Sequence, residues 1–251
     1  ATERVLNTLG SASLTDLPVI VRFLIDGCTP GNTENIICIL RKHLSELIGQ
    51  ISIITDDGDE TERTSSEALL LEALRASLLH RKDVVVAWTK IIESCSVGHR
   101  ETSDGNLRSL CSFDVWVLGS LYGMKKEKDT VEKIIFKKSS VGMFSFEFIS
   151  SVFHGHSVAL APLFNNYLNI AANLFYGRGH SRTAENARVS GRSLYMSLFM
   201  EYKLDYYRQE IVGNLITHIG SGVQHEINAA LGTFEGLLKA EDASLNRGLR
   251  T

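Results

Sequence analysis

Apolar residues recur at intervals of one, three and four along almost the whole of this chain, and that spacing commits it to helices. The run EIVGNLITHIGSG, 210–222, shows it most cleanly: Ile211, Val212, Leu215, Ile216 and Ile219 share one face, expected to be buried at Leu215 and Ile216, and Gly220 and Gly222 close the helix. Only three prolines interrupt 251 residues, so few breaks are forced on such stripes. With 44% hydrophobic residues, a chain of this length can bury a sizeable core as one domain or as one stretch of a solenoid.

Short polar breaks separate the stripes. Ser13 or Thr15 can cap a helix with Pro18 in its first turn and Val19, Ile20, Phe23 and Leu24 behind it, ending near Gly27. Asn32 or Thr33 can cap the next, through Ile36, Ile37, Leu40, Leu44 and Leu47. Five acidic residues and a glycine between Asp56 and Glu62 predict a mobile acidic loop near 50–64. Leu70, Leu71, Leu74 and Leu78, then Val84, Val85, Trp88, Ile91 and Ile92, mark two further helices, with Trp88 in the core. After a polar loop at 96–106, residues 113–122 are apolar nearly all round and should be buried. Helices are expected at 131–138, 144–153, 158–175, 184–202, 205–219 and 226–238. Up-and-down pairs without strands predict an all-α fold, an α-solenoid of irregular HEAT/ARM-like antiparallel helix pairs, with 1–251 as a single helical-repeat segment.

Composition removes several functions. The net charge of −3 gives no global basic field, so any nucleic-acid contact must be local. Cys28, Cys38, Cys95 and Cys111 lack CxxC or metal spacing and read as buried, reduced thiols. No apolar run reaches the roughly 18 residues of a membrane span. His154, His156 and His180 have neither an HExxH pattern nor a cysteine partner, so no metal site is expected. Gly177, Gly179, Gly220 and Gly222 open no phosphate loop and suit turns and C-caps instead. No cofactor motif and no nucleophile triad stand out, which gives a hydrolase or transferase little support.

Two clusters carry chemistry. In VEKIIFKKSSVG, 131–142, Val131, Ile134 and Ile135 form a stripe, and Lys138 falls about 20° from Val131 at about 100° per residue, whereas Lys137 lies about 120° away. An ammonium in that position either snorkels towards the helix end and complements its dipole, or sits on a surface that something else covers. Nearby Lys133 and Lys137 modestly favour a neutral amine. Arg178, Arg182, Arg188 and Arg192, opposed only by Glu185, form the second cluster, with Arg188 and Arg192 on one helix face. They suit either a solvated face or contact with DNA phosphates.

The blocks LTDLPVIVRFL at 14–24, VEKIIFKKSSVG at 131–142 and EIVGNLITHIGSG at 210–222 together resemble the Fanconi anaemia group D2 family, in its order and at about its spacing. The likeness is dense near 14–24 and 207–222, and loose at 49–66 and 177–191. It implies an inner segment of a much longer, nuclear, non-enzymatic DNA-repair scaffold built from helical-repeat solenoids. Family members carry one lysine that accepts a single ubiquitin, four residues before a glycine; Lys138 precedes Gly142 by that interval, so the resemblance implies Lys138 as acceptor. The chain departs from the family in having a second lysine beside it, which leaves Lys137 as the rival. The implied partners are the Fanconi anaemia group I paralogue, ubiquitin with the conjugating enzyme and RING ligase of the Fanconi core complex, and double-stranded DNA, on which the ubiquitinated pair closes during interstrand crosslink repair. The alternative from a different class is a generic HEAT-like protein-interaction module without an acceptor role.

Overall fold

The computed structural model describes residues 9, 12–13, 15–54, 60–95, 110–139, 145–176 and 182–248, with the side chains of 46–54, 60–64, 137–139 and 244–248 outside that description. Among the described residues the fold is all-α, with helices packed on one another as in an α-solenoid. The helices are α1 Leu17–Asp26, α2 Thr33–Ile54, α3 Glu60–His80, α4 Lys82–Ser94, α5 Ser112–Tyr122, α6 Lys128–Ser139, α7 Phe146–Leu160, α8 Phe164–Phe175, α9 Arg182–Glu201, α10 Asp205–Ile219 and α11 Gln224–Gly248. They fall into two compact units, one of Ala1–Ile135 with Val158–Leu163, the other of Phe136–Ser157 with Phe164–Thr251.

In the first unit α1 lies against α3, while α2 and α3 both pack on α5. Every residue from Phe113 to Tyr122 is buried, as a helix apolar on all sides requires. The rings of Trp88, Phe113 and Trp116 meet in series at a tilt, with centroids 5.8 and 5.9 Å apart. Pro18 sits in the first turn of α1, where its missing N–H costs nothing. The expected Ser13 or Thr15 cap is replaced by Asp16 at the capping position; Ser13 spends its hydroxyl on the Asp16 carboxylate, 2.6 Å away. At the other end of α1, Arg81 donates to the carbonyls of Ile25, Asp26 and Cys28, satisfying acceptors that a helix terminus leaves open. Asp83 holds that guanidinium in place with two bonds.

The range 50–64 given to the expected loop is helical at both of its ends. The α2 backbone continues to Ile54 and α3 starts at Glu60, while 55–59 lie outside the described residues, as do the whole polar loop at 96–106 and Leu14. A single helix at 158–175 is also corrected: α7 has a non-helical backbone at His156, ends at Leu160, and is followed by a 3-10 turn, Ala161–Leu163, before α8. Pro162 supplies the reason, because it has no N–H for an α-helical bond and crowds the preceding turn.

In the second unit α9 packs on α8 and α11, and α10 on α11. The α8–α9 contact is close because Gly191 lacks a side chain: a Cβ there would stand 3.0 Å from the Ala171 carbonyl, Leu174 Cβ and Phe175 Cδ1. Phe153, Phe164, Tyr167, Tyr202 and Tyr207 form an aromatic cluster, and the Tyr202 hydroxyl donates to the Ser157 carbonyl at 2.7 Å. In α10 the expected burial holds for Leu215, at 0% exposure, and fails for Ile216, at 56%. Adjacent residues on a helix diverge by about 100°, so one of such a pair leaves the buried arc unless a second neighbour covers it. Gly220 caps α10, and Gly222 takes φ +73°, a left-handed turn that suits glycine. The four cysteines are free; Cys28, Cys95 and Cys111 are buried and Cys38 is half-buried.

Candidate functional site

Helix α6 places the lysine cluster. Val131, Ile134 and Ile135 are all buried, so the stripe read from the sequence faces a core, and Lys133 is exposed on another side. The helix is tied to the end of α5: the Tyr122 hydroxyl bonds Glu132 Oε1 at 3.2 Å, and the Lys128 ammonium lies 5.3 Å from the Tyr122 ring centroid. A cation over an aromatic face and a tyrosine-to-carboxylate bond fix the rotation of the first turns. Lys137 and Lys138 occupy the last turn of α6, and their side chains, with Gly142, lie outside the described residues.

The arginine cluster divides. Arg178, with His180, Gly177 and Gly179, lies outside the described residues, and Arg182 is the exposed first residue of α9. Arg188 and Arg192, one turn apart, reach into a cleft of about 360 Å³ between α9 and the start of α11. Glu185 and Val189 complete the α9 wall, and His225 and Asn228 stand opposite. Gly232 and Gly236 of α11 leave room for Arg192: a Cβ would stand 3.5 Å from its Nη1 at the first position and 3.1 Å from its Nη2 at the second. Nε2 of His225 is buried and meets no hydrogen-bond partner among the described residues.

Comparison with known proteins settles the ancestry. A family model described as Fanconi anaemia protein FancD2 nuclease matches residues 1–247. The chain belongs to the Fanconi anaemia group D2 family. The rat Fanconi anemia group D2 protein homolog is 26% identical over 249 residues, the mouse homolog 26% over 245 and the chicken Fanconi anemia group D2 protein 26% over 244, each match covering 91% of this chain. The chain spans about 16% of the length of these relatives.

Within this D2-family chain, two buried polar clusters escaped the sequence reading. Asp114 of α5 accepts from Arg41 Nε at 2.8 Å and Trp88 Nε1 at 3.2 Å through one oxygen, and from Arg41 Nη2 at 2.7 Å and the Cys111 N–H at 3.0 Å through the other. Burial opposes the Arg41 charge, but the hydrogen bonds and attraction of Asp114 outweigh it and keep the guanidinium protonated. Burial, then the Asp114 charge, pushes the Cys111 thiol up to about 12, so it is no thiolate nucleophile. The second cluster centres on buried His218, with Nδ1 3.2 Å from Glu226 Oε2 and Nε2 3.3 Å from the Tyr195 hydroxyl, which also bonds Asn214. A sequence signal existed for the first: an aspartate inside an otherwise apolar, fully buried helix demands a cation from elsewhere. No such signal marked His225. Among the described residues no three His, Cys, Asp or Glu side chains converge as metal ligands, and no helix is long and apolar enough to cross a membrane.

Proposed function

We propose that this chain is part of a nuclear, non-enzymatic DNA-repair scaffold of the Fanconi anaemia interstrand crosslink pathway, and that Lys138 is its ubiquitin acceptor. Membership of the D2 family supports the pathway. The single observation that supports the acceptor is the register of α6: the buried stripe Val131, Ile134 and Ile135 continues in helical phase to position 138, about 20° from Val131, at the end of a helix whose first turns are anchored to Tyr122. The acceptor amine has only to reach, in its neutral form, the thioester of a charged conjugating enzyme. The group I paralogue, ubiquitin with the core-complex conjugating enzyme and RING ligase, and double-stranded DNA are the partners of this reading. Ubiquitin on one member of the pair would hold both closed on the duplex.

The test is reconstituted conjugation with the chain bound to its group I partner. Lys138→Arg keeps charge and stem but cannot form the isopeptide bond, so single conjugation should vanish while the fold persists. Lys137→Arg should leave most of it. The reverse pattern would reassign the acceptor to Lys137, and conjugation surviving in both variants would remove the site from this helix. The family description contains the word nuclease; incubating the same preparation with duplex DNA and magnesium or manganese should leave the strands uncut, and cleavage that co-purifies with the chain would overturn the scaffold reading.

A further inference from the structure

The cleft between α9 and α11 is not needed for conjugation at Lys138, and its chemistry stands apart from that reading. Arg188 and Arg192 are four residues apart, which on a helix brings their side chains to the same face within about 6 Å at Cβ. Each guanidinium presents a planar set of donors suited to a tetrahedral oxyanion. Arg192 lies along the glycine notch of Gly232 and Gly236, so its head group is positioned by α11 as well as by its own helix. His225 also lines the cleft, and its Nε2 is buried with no partner among the described residues, so a turn of the ring towards the cleft would give that nitrogen an acceptor in a ligand oxygen.

We propose that this cleft binds a single phosphate monoester carried on a phosphorylated protein segment. Arg188 and Arg192 hold the phosphate oxygens, the His225 ring turns to donate a further bond from Nε2, Val189 covers an aliphatic part of the segment, and Glu185 accepts from a lysine or backbone N–H beside the phosphorylated residue.

Two observations favour such a segment over duplex DNA. A cleft of about 360 Å³ takes a group the size of a modified side chain, whereas a duplex can only lie across its rim. The arginines are also flanked by carboxylates, Glu185 on α9 and, beside Arg192, exposed Glu235 on α11, which Lys239 bonds at 2.6 Å. A duplex presents an unbroken row of phosphates and would meet those carboxylates with like charge, while a peptide brings one dianion and can bring a cation next to it. Clusters of arginine that read one phosphorylated residue follow the same logic elsewhere.

Fluorescence anisotropy on the intact chain, with a labelled peptide Ala-Lys-phosphoserine-Leu-Ala, its unphosphorylated twin and a short DNA duplex, tests the proposal. The phosphopeptide should bind at least about 10-fold more tightly than the twin, and Arg188→Gln or Arg192→Gln should each erase about 10-fold. His225→Phe should weaken binding several-fold. Glu185→Gln should reduce the advantage of the lysine-bearing peptide over one with alanine at that position, and leave competition by inorganic phosphate unchanged. Equal binding of peptide and twin would overturn the proposal. So would an unaltered affinity in Arg192→Gln, or a duplex that displaces the peptide and loses the same factor in the variants. Should Arg192→Gln melt early, the arginine Nε–H resonances of the unsubstituted chain decide the matter: they must move with phosphopeptide, and stillness sinks the idea.

Discussion

Arg41 and Arg192 sit on helices of similar length, yet one is sealed at 1% exposure and the other borders an open cleft. Around Arg41, α4 and α5 bring a carboxylate, an indole and a backbone N–H to one point, and the charge is consumed inside the unit. Around Arg192, the facing helix offers two glycines and the exposed carboxylate of Glu235, and on the proposal above the charge serves a ligand. The type of residue is thus uninformative about its use; what the opposite helix presents decides it. Arginines absorbed in a core contribute fold, and those met by small residues across a cleft contribute recognition.

The sharpest way to break that contrast is Asp114→Ala. It strands the Arg41 guanidinium in a buried site and leaves the Trp88 and Cys111 donors without their acceptor, so the chain should lose about 3–5 kcal/mol in urea titration. Joining Arg41→Met to Asp114→Leu removes both charges and should recover the part of the loss owed to the stranded ion, while the Trp88 and Cys111 donors stay without their acceptor. A loss below about 1 kcal/mol for the single change would mean that water reaches the pair, and that Arg41 is no more committed than Arg192.

Next in size is the apolar counterpart in α10. Leu215→Ala should cost about 2–5 kcal/mol as a core cavity, and Ile216→Ala should stay within about 0.5 kcal/mol. Equal costs would show that the exposed face of α10 is covered in the chain as it exists in solution.

Those two neighbours also mark how far sequence reasoning reached. Periodicity identified the helices, the all-round burial of 113–122 and the stripe of α6, since each depends only on which residues share a face. It overstated the burial of α10, because the width of a buried arc is set by how many helices pack on it, and that is a tertiary fact. It joined 158–175 across Pro162 because apolar spacing persists through a turn that the proline forbids from being helical. At the lysine pair, α6 phase follows from spacing alone, but the choice between Lys137 and Lys138 rests on the family interval to Gly142. The cleft was half legible: Arg188 and Arg192 could be placed on one face, while the glycine notch and His225 come from a helix more than thirty residues further on, with no local signature.

The smallest expected effect is the most discriminating for the comparison. Arg192→Gln removes a charge that no core group consumes, and the glycines opposite leave space for the shorter side chain, so the denaturation midpoint should correspond to a change within about 0.5 kcal/mol. Arg41→Gln, the same chemical change in the sealed site, leaves the Asp114 carboxylate buried with fewer donors and should cost several times more. The two variants differ only in what the facing helices present, so their ratio measures the difference in commitment directly. A ratio near one would mean either that Arg192 is bound into the second unit as firmly as Arg41 into the first, or that Arg41 is dispensable, and in both cases the division between structural and recognition arginines would be lost.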